Sequence, residues 1–126
     1  VKDGATTGKT AIVTEDFPYK EACINEHLFR ILAKDDIDST YLFTVLFSSI
    51  GQRQIKRVIS GAAQKGIVLE TISEILVPIP PLSVQQKIAQ EVKSCREKAK
   101  ILRQEAKEML QRAREKVEKM ILVGTS

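Results

Sequence analysis

The sequence predicts an α+β protein: a small mixed α/β portion followed by one long C-terminal helix that pairs with another helix. Three observations carry this. Short β-branched and apolar runs separated by Gly, Pro and Asp turns fill the first third of the chain. A Pro-rich entry then leads into a stretch that has no Gly or Pro from Val84 onward until Gly124. Within that stretch apolar residues recur every three or four positions, the period of an amphipathic helix.

Element by element, Gly4 and Gly8 bracket Ala5-Thr6-Thr7 as a small polar loop. Ala11-Ile12-Val13-Thr14 reads as a strand, with a loop at Glu15-Asp16-Phe17-Pro18. Ala22-Cys23-Ile24 is a weaker strand, and His27 to Ala33 a further one, although its periodicity also fits a helix. Asp38 is placed to cap a helix with Leu42, Val45 and Leu46 on its inner face and Tyr41 and Phe43 flanking it. Gly51 interrupts this helix. Gln52 to Val58 forms a second, short one with Ile55 and Val58 inward. Gly61-Ala62-Ala63-Gln64-Lys65-Gly66 is a flexible loop between two glycines. Ile67-Val68-Leu69 resumes a strand, Thr71 to Glu74 turns, and Leu76 to Pro81 is extended because each Pro drives its predecessor out of helix.

The last segment begins with Ser83 as N-cap and Gln86 three residues later, the spacing of a capping box. Val92, Cys95, Ala99, Leu102, Ala106 and Met109 alternate spacings of three and four, a heptad seam continued by Ala113. At 1.5 Å per residue the helix spans roughly 60 Å. Packing on the N-terminal portion is one reading of such a seam; the favoured one is pairing with another helix, within the same protein or in a second copy. The small residues Ala99, Ala106 and Ala113 permit close approach but bury less area per layer than Leu.

Composition narrows the function classes. At 126 residues, 43% hydrophobic and 29% charged, the chain is one globular domain with an appendage. No apolar run approaches the ~20 residues of a membrane span. Val1-Lys2-Asp3-Gly4 has no signal-peptide pattern and reads as the interior of a larger protein. Cys23 and Cys95 are isolated, which favours neither a zinc site nor a disulfide framework and points to a reducing, cytoplasmic home. The net charge of +4 is uneven: residues 1–83 carry nine Lys/Arg against ten Asp/Glu, and residues 84–126 eleven against six. Such a surplus suits nucleic acid, an acidic partner, or a solvated helix.

No catalytic constellation assembles. His27 stands in an apolar run without a second ligand at metal spacing, so it reads as structural. Asp35, Asp36 and Asp38 read as loop solvation and capping. Gly4 to Thr10 has three residues, not four, before its Gly-Lys pair, and so departs from a phosphate-binding loop. What remains is a set of polar and basic side chains of the types that bond phosphates and base edges: Lys2, Thr7 and Lys9 in the first loop, Arg53, Lys56 and Arg57 on the second helix, and Gln64 and Lys65 between the glycines.

Several of these pieces, in order, carry a family pattern. They are Lys2 to Lys9, Ile24 to Arg30, Tyr41-Leu42, Gly61 to Gly66, and above all Ile79-Pro80-Pro81-Leu82 followed by Gln85-Gln86-Lys87-Ile88-Ala89. The chain resembles the DNA specificity subunit of type I restriction-modification systems, in the C-terminal part of one target recognition domain plus the conserved helix after it. The resemblance implies a partial target recognition domain at 1–82, a spacer and dimerisation helix at 83–122, and a tail at 123–126. It implies that the subunit does no chemistry, reads half of a bipartite duplex DNA target, and pairs its long helix in an antiparallel coiled coil, as a homodimer or within one chain. The helix would also dock methyltransferase and restriction subunits, with S-adenosylmethionine bound by the methyltransferase and no cofactor on this chain. The remainder of the recognition domain is expected outside these residues. The rival expectation is a coiled-coil docking module with no DNA binding of its own.

Overall fold

A computed structural model describes residues 1–61 and 66–124; of Ser60 and Gly61 it describes the backbone only. Four helices follow one another: α1 (Ser39–Phe47), α2 (Ser49–Gly61), α3 (Leu69–Ile72) and α4 (Leu82–Val123). The chain divides into two compact units, Val1–Ala89 and Gln90–Ser126.

Helix α1 is the centre of the first unit. Asp38 caps it as expected, its Oδ1 accepting the Tyr41 amide at 2.9 Å. Tyr41, Phe43, Val45 and Leu46 are all buried, and Leu42 is half-buried. The inward face therefore includes Tyr41 and Phe43, the aromatics that the sequence places on the flank. A nine-residue helix with apolar side chains on most of its circumference is a core helix, and its stripe cannot be read from periodicity alone.

The break between α1 and α2 falls at Ser48, not at Gly51. The Ser48 amide donates to Thr44 O, its hydroxyl donates to Val45 O, and its carbonyl accepts the Gln52 amide at 2.9 Å. One serine thus ends one helix and starts the next. Gly51 lies inside the first turn of α2, where a Cβ would overlap the Val45 carbonyl oxygen and come within 2.7 Å of Leu46 Cα. Its smallness lets the two helices approach closely. Ile55 is buried as expected, and Val58 is half-buried.

The strands expected at 11–14, 22–24, 27–33 and 67–69 do not form. Among the described residues there is one isolated antiparallel bridge, Asp3 to Gly66, with the Ile67 amide donating to Lys2 O at 2.6 Å. Between residues 10 and 37 the backbone bonds close local turns, such as Phe17 to Thr14 and Leu28 to Asn25, apart from Lys2 N–H donating to His27 O. A strand needs a ladder partner and a face to bury; here Val13 is 74% and Leu32 70% exposed. The α+β expectation is corrected to helices joined by extended, irregular chain. Residues 69–72 are a short helix where strand and turn were expected.

The long helix starts at Leu82, so Ser83 is inside the first turn and the expected capping box is absent. The Pro81 carbonyl accepts the Val84 amide at 2.8 Å and the Gln85 amide at 3.2 Å. Pro81 has no N–H to lose at this position, which suits a helix start. The helix ends before Gly124, whose φ of +66° is the left-handed turn typical after a helix C-terminus. Along the seam, Val92 and Ala99 are half-buried, while Cys95, Leu102, Ala106 and Met109 are exposed. The antiparallel coiled coil is accordingly not formed within the described residues.

Candidate nucleic-acid interface

The N-terminal loop is built by its glycines. Gly4 and Gly8 have φ of +83° and +88°, and the Thr7 amide and hydroxyl both donate to Gly4 O. A Cβ at Gly8 would meet Ile55 Cγ2 at 2.7 Å, so only glycine lets the loop seat on α2 here. Gln52 fastens the contact, its amide nitrogen donating to Gly8 O at 3.2 Å and to Leu46 O at 2.9 Å.

This geometry sorts the expected DNA-contacting residues. Thr7 has spent its hydroxyl on the turn. Lys2 is half-buried, with Nζ 3.6 Å from the Asp3 carboxylate. Lys9 is exposed beside the seated Gly8. The loop docks on the face of α2 that carries Gln52, Ile55 and Ile59. Arg53, Lys56 and Arg57 are exposed, at positions i, i+3 and i+4; the two arginines stand on the side of α2 away from that face, and Lys56 borders it. The three share one exposed stretch of α2, and the loop seats on the side away from the two arginines. Gln64 and Lys65 lie outside the described residues.

The α2 face is strongly basic. Helix α2 contains no acidic residue. Arg53 Nε donates to Ser49 O at 3.2 Å, which steadies its stem and leaves the rest of the guanidinium to other partners. Arg53, Gln54, Lys56 and Arg57 line a shallow depression. A groove of about 420 Å³ adjoins it, lined by Gln54, Arg57, Val58, Thr71, Glu74 and Leu76 among others.

His27 has its Nδ1 2.7 Å from Asp3 Oδ1, with Glu26 3.5 Å from Nε2, in an exposed setting. Since Lys2 N–H donates to the His27 carbonyl, this node ties the first loop to the extended segment.

Three glutamines escaped the residue-type reasoning. Gln85, in the first turn of α4, is fully buried. Its Oε1 accepts the Asp38 amide at 2.9 Å, and its Nε2 donates to Asp36 O at 3.1 Å and Pro80 O at 2.9 Å. Gln54 pairs with Leu76 as a strand neighbour would, donating to its carbonyl and accepting from its amide, each at 2.9 Å. Gln52 completes the set. The Tyr41 hydroxyl donates to Pro78 O at 2.9 Å and pins the same proline-rich entry. The sequence signal is the Gln85-Gln86 pair after Pro-Pro-Leu, of which Gln86 has the capping-box spacing and Gln85 makes the bonds.

Among the described residues no helix is long and apolar enough to cross a membrane. No curated protein and no solved structure matches the chain. A family model, the type I restriction modification DNA specificity domain, matches residues 1–111. That span takes in the N-terminal loop, the basic α2 face, the Pro-Pro-Leu entry and most of α4, and the chain belongs to the type I restriction modification DNA specificity domain family.

Proposed function

We propose that the chain is a non-catalytic reader of one half of a two-part duplex DNA target, with α4 serving as the spacer to the second half. The observation that carries this reading is the cluster of Arg53, Lys56 and Arg57 on a helix that has no acidic residue of its own, in a DNA specificity domain. Three cations within five residues suit phosphates or guanine edges. Lys2, Thr7, Lys9, Gln64 and Lys65 are secondary contact candidates. The seam residues Val92, Cys95, Ala99, Leu102, Ala106 and Met109 pair antiparallel with a second helix, in another copy or elsewhere in the protein. The same helix docks methyltransferase and restriction subunits, and S-adenosylmethionine chemistry belongs to the methyltransferase.

The test is duplex binding measured by fluorescence anisotropy over a salt series. The double variant Arg53→Gln/Lys56→Gln should weaken binding and flatten the salt dependence by about 2 in logarithmic slope, one per lost phosphate contact. Undetectable binding of the unsubstituted protein to every duplex tried would sink the reading. A second reading, a helix-pairing and docking module without DNA affinity, is favoured by the exposed seam, where Leu102 is 62% and Met109 72% exposed.

A further inference from the structure

Helix α4 carries a second stripe beside its apolar seam. On a helix turning about 100° per residue, the six seam positions occupy an arc of about 100°. Lys93, Arg96, Lys100, Arg103 and Lys107 repeat the same three-four spacing one residue later, and Arg114 continues the line. These six cations fall within about 80° of arc and extend over about 30 Å of helix. All six are exposed. Glu91, Glu97, Glu105, Glu108 and Glu115 all lie elsewhere on the circumference, so the band holds no acid until Glu118.

The charges are sorted where a merely solvated helix would mix them. Like charges at i,i+3 and i,i+4 each cost an isolated helix a few tenths of a kcal/mol, and opposite ones would stabilise it. Here five cations from Lys93 to Lys107 make four successive like-charged pairs, and Glu97 is the one acid at such a spacing from any of them. The Arg112–Glu108 ion pair and the Gln104–Glu108 and Gln111–Glu115 bonds lie off the band. Lys93, Lys100, Arg103, Lys107 and Arg114 make no ion pair among the described residues.

We propose that this band is a sequence-independent phosphate-contact surface for duplex DNA. It rests on the reading of the chain as a DNA-recognising domain, and adds a contact role to a helix that reading treats as a spacer. Two observations favour a duplex over an acidic protein. The band is Lys and Arg alone, whereas the core of a protein interface is depleted in charge and enriched in aromatics. Its even spacing suits a uniformly charged rod, which offers about nine phosphates per strand over this length. Residues 1–83 are one charge short of neutral, so the long-range attraction of this chain for a polyanion resides on α4.

The experiment compares three proteins on two duplexes of unrelated sequence: unsubstituted, Lys93→Gln/Lys100→Gln/Lys107→Gln, and the control Arg112→Gln/Lys116→Gln/Lys119→Gln from the other side of the helix. All six positions are exposed, and circular dichroism checks that helix content is kept. The band variant should lose affinity for both duplexes alike. Its loss between about 50 and about 200 mM salt should shrink by about 40-fold, the effect of three fewer phosphate contacts. The control should retain the original slope. Equal slopes for band variant and unsubstituted protein overturn the proposal, as does an equal effect of the control, which would mean net charge alone. An unchanged slope with loss of methyltransferase association would assign the band to an acidic protein surface. If the unsubstituted protein binds no duplex, the recognition reading itself fails, an outcome distinct from failure of the band.

Discussion

Gln85 is the residue on which the first unit turns. A buried primary amide has two donors and one carbonyl acceptor to satisfy, and here each finds a backbone partner: the carbonyls of Asp36 and Pro80 and the amide of Asp38. The last of these is the residue that caps α1, so one side chain joins the start of α4 to the start of α1. Gln85→Leu preserves size but strands three partly buried backbone groups. It should cost about 2–4 kcal/mol, the usual penalty for unpaired groups reduced by their partial exposure. Urea denaturation should place the midpoint lower at an unchanged slope. A stability within about 0.5 kcal/mol of the unsubstituted protein would mean water replaces the amide and that the latch is dispensable. Gln85→Glu keeps the acceptor, removes both donors and sets a charge against two carbonyls, so it should not rescue.

At the scale of elements, α1 and α4 illustrate two uses of apolar residues. Helix α1 buries aromatic and aliphatic side chains within its own unit. Along α4 the seam stays largely open, and small residues at Ala99, Ala106 and Ala113 alternate with Cys95, Leu102 and Met109. In the proposed pairing this stripe packs on another helix, and its layers contribute modestly because alanine removes little area from water. Leu102 is the largest aliphatic side chain of the seam's middle and should dominate it. In self-association measured by light scattering, Leu102→Glu should raise the dissociation constant at least about 10-fold, since a charge replaces a Leu layer in each helix. An unchanged mass in the variant, with the parent dimeric, would place the interface on a different face of α4.

For the whole molecule, stability is uneven. Residues 41–55, Ile67 and the first turns of α4 hold the buried side chains, whereas the chain from Ala11 to Ile24 has exposed side chains throughout, Ile12 excepted, and few backbone bonds. Hydrogen exchange should follow this division, with the amides of Ala11–Thr14 and Glu21–Ile24 in the fastest class and those of α1 in the slowest. Strong protection across both extended segments would mean that they pair as strands with a second chain, and would restore the β character that the sequence suggests.

The sequence by itself determined the long helix, the Asp38 cap, the paired-glycine loop and the family, because each is written locally: a Gly- and Pro-free apolar period, one side chain before a helix, two positions needing positive φ, a string of spaced motifs. It also determined the stripes of α4, since a helix converts spacing directly into faces. The triad of α2 was legible in the same way, as three cations at helical spacing. What only the tertiary structure decided depends on partners distant in sequence. The strand-like runs found no ladder in this chain, and β-propensity has no force without one. The loop lysines were set on the other side of α2 from the arginines, because Gly8 seats against Ile55. Gln52, Gln54 and Gln85 became staples because backbone groups far along the chain were left without helix or sheet to satisfy them. An amide side chain carries no mark in sequence of which carbonyl, dozens of residues away, it will bond.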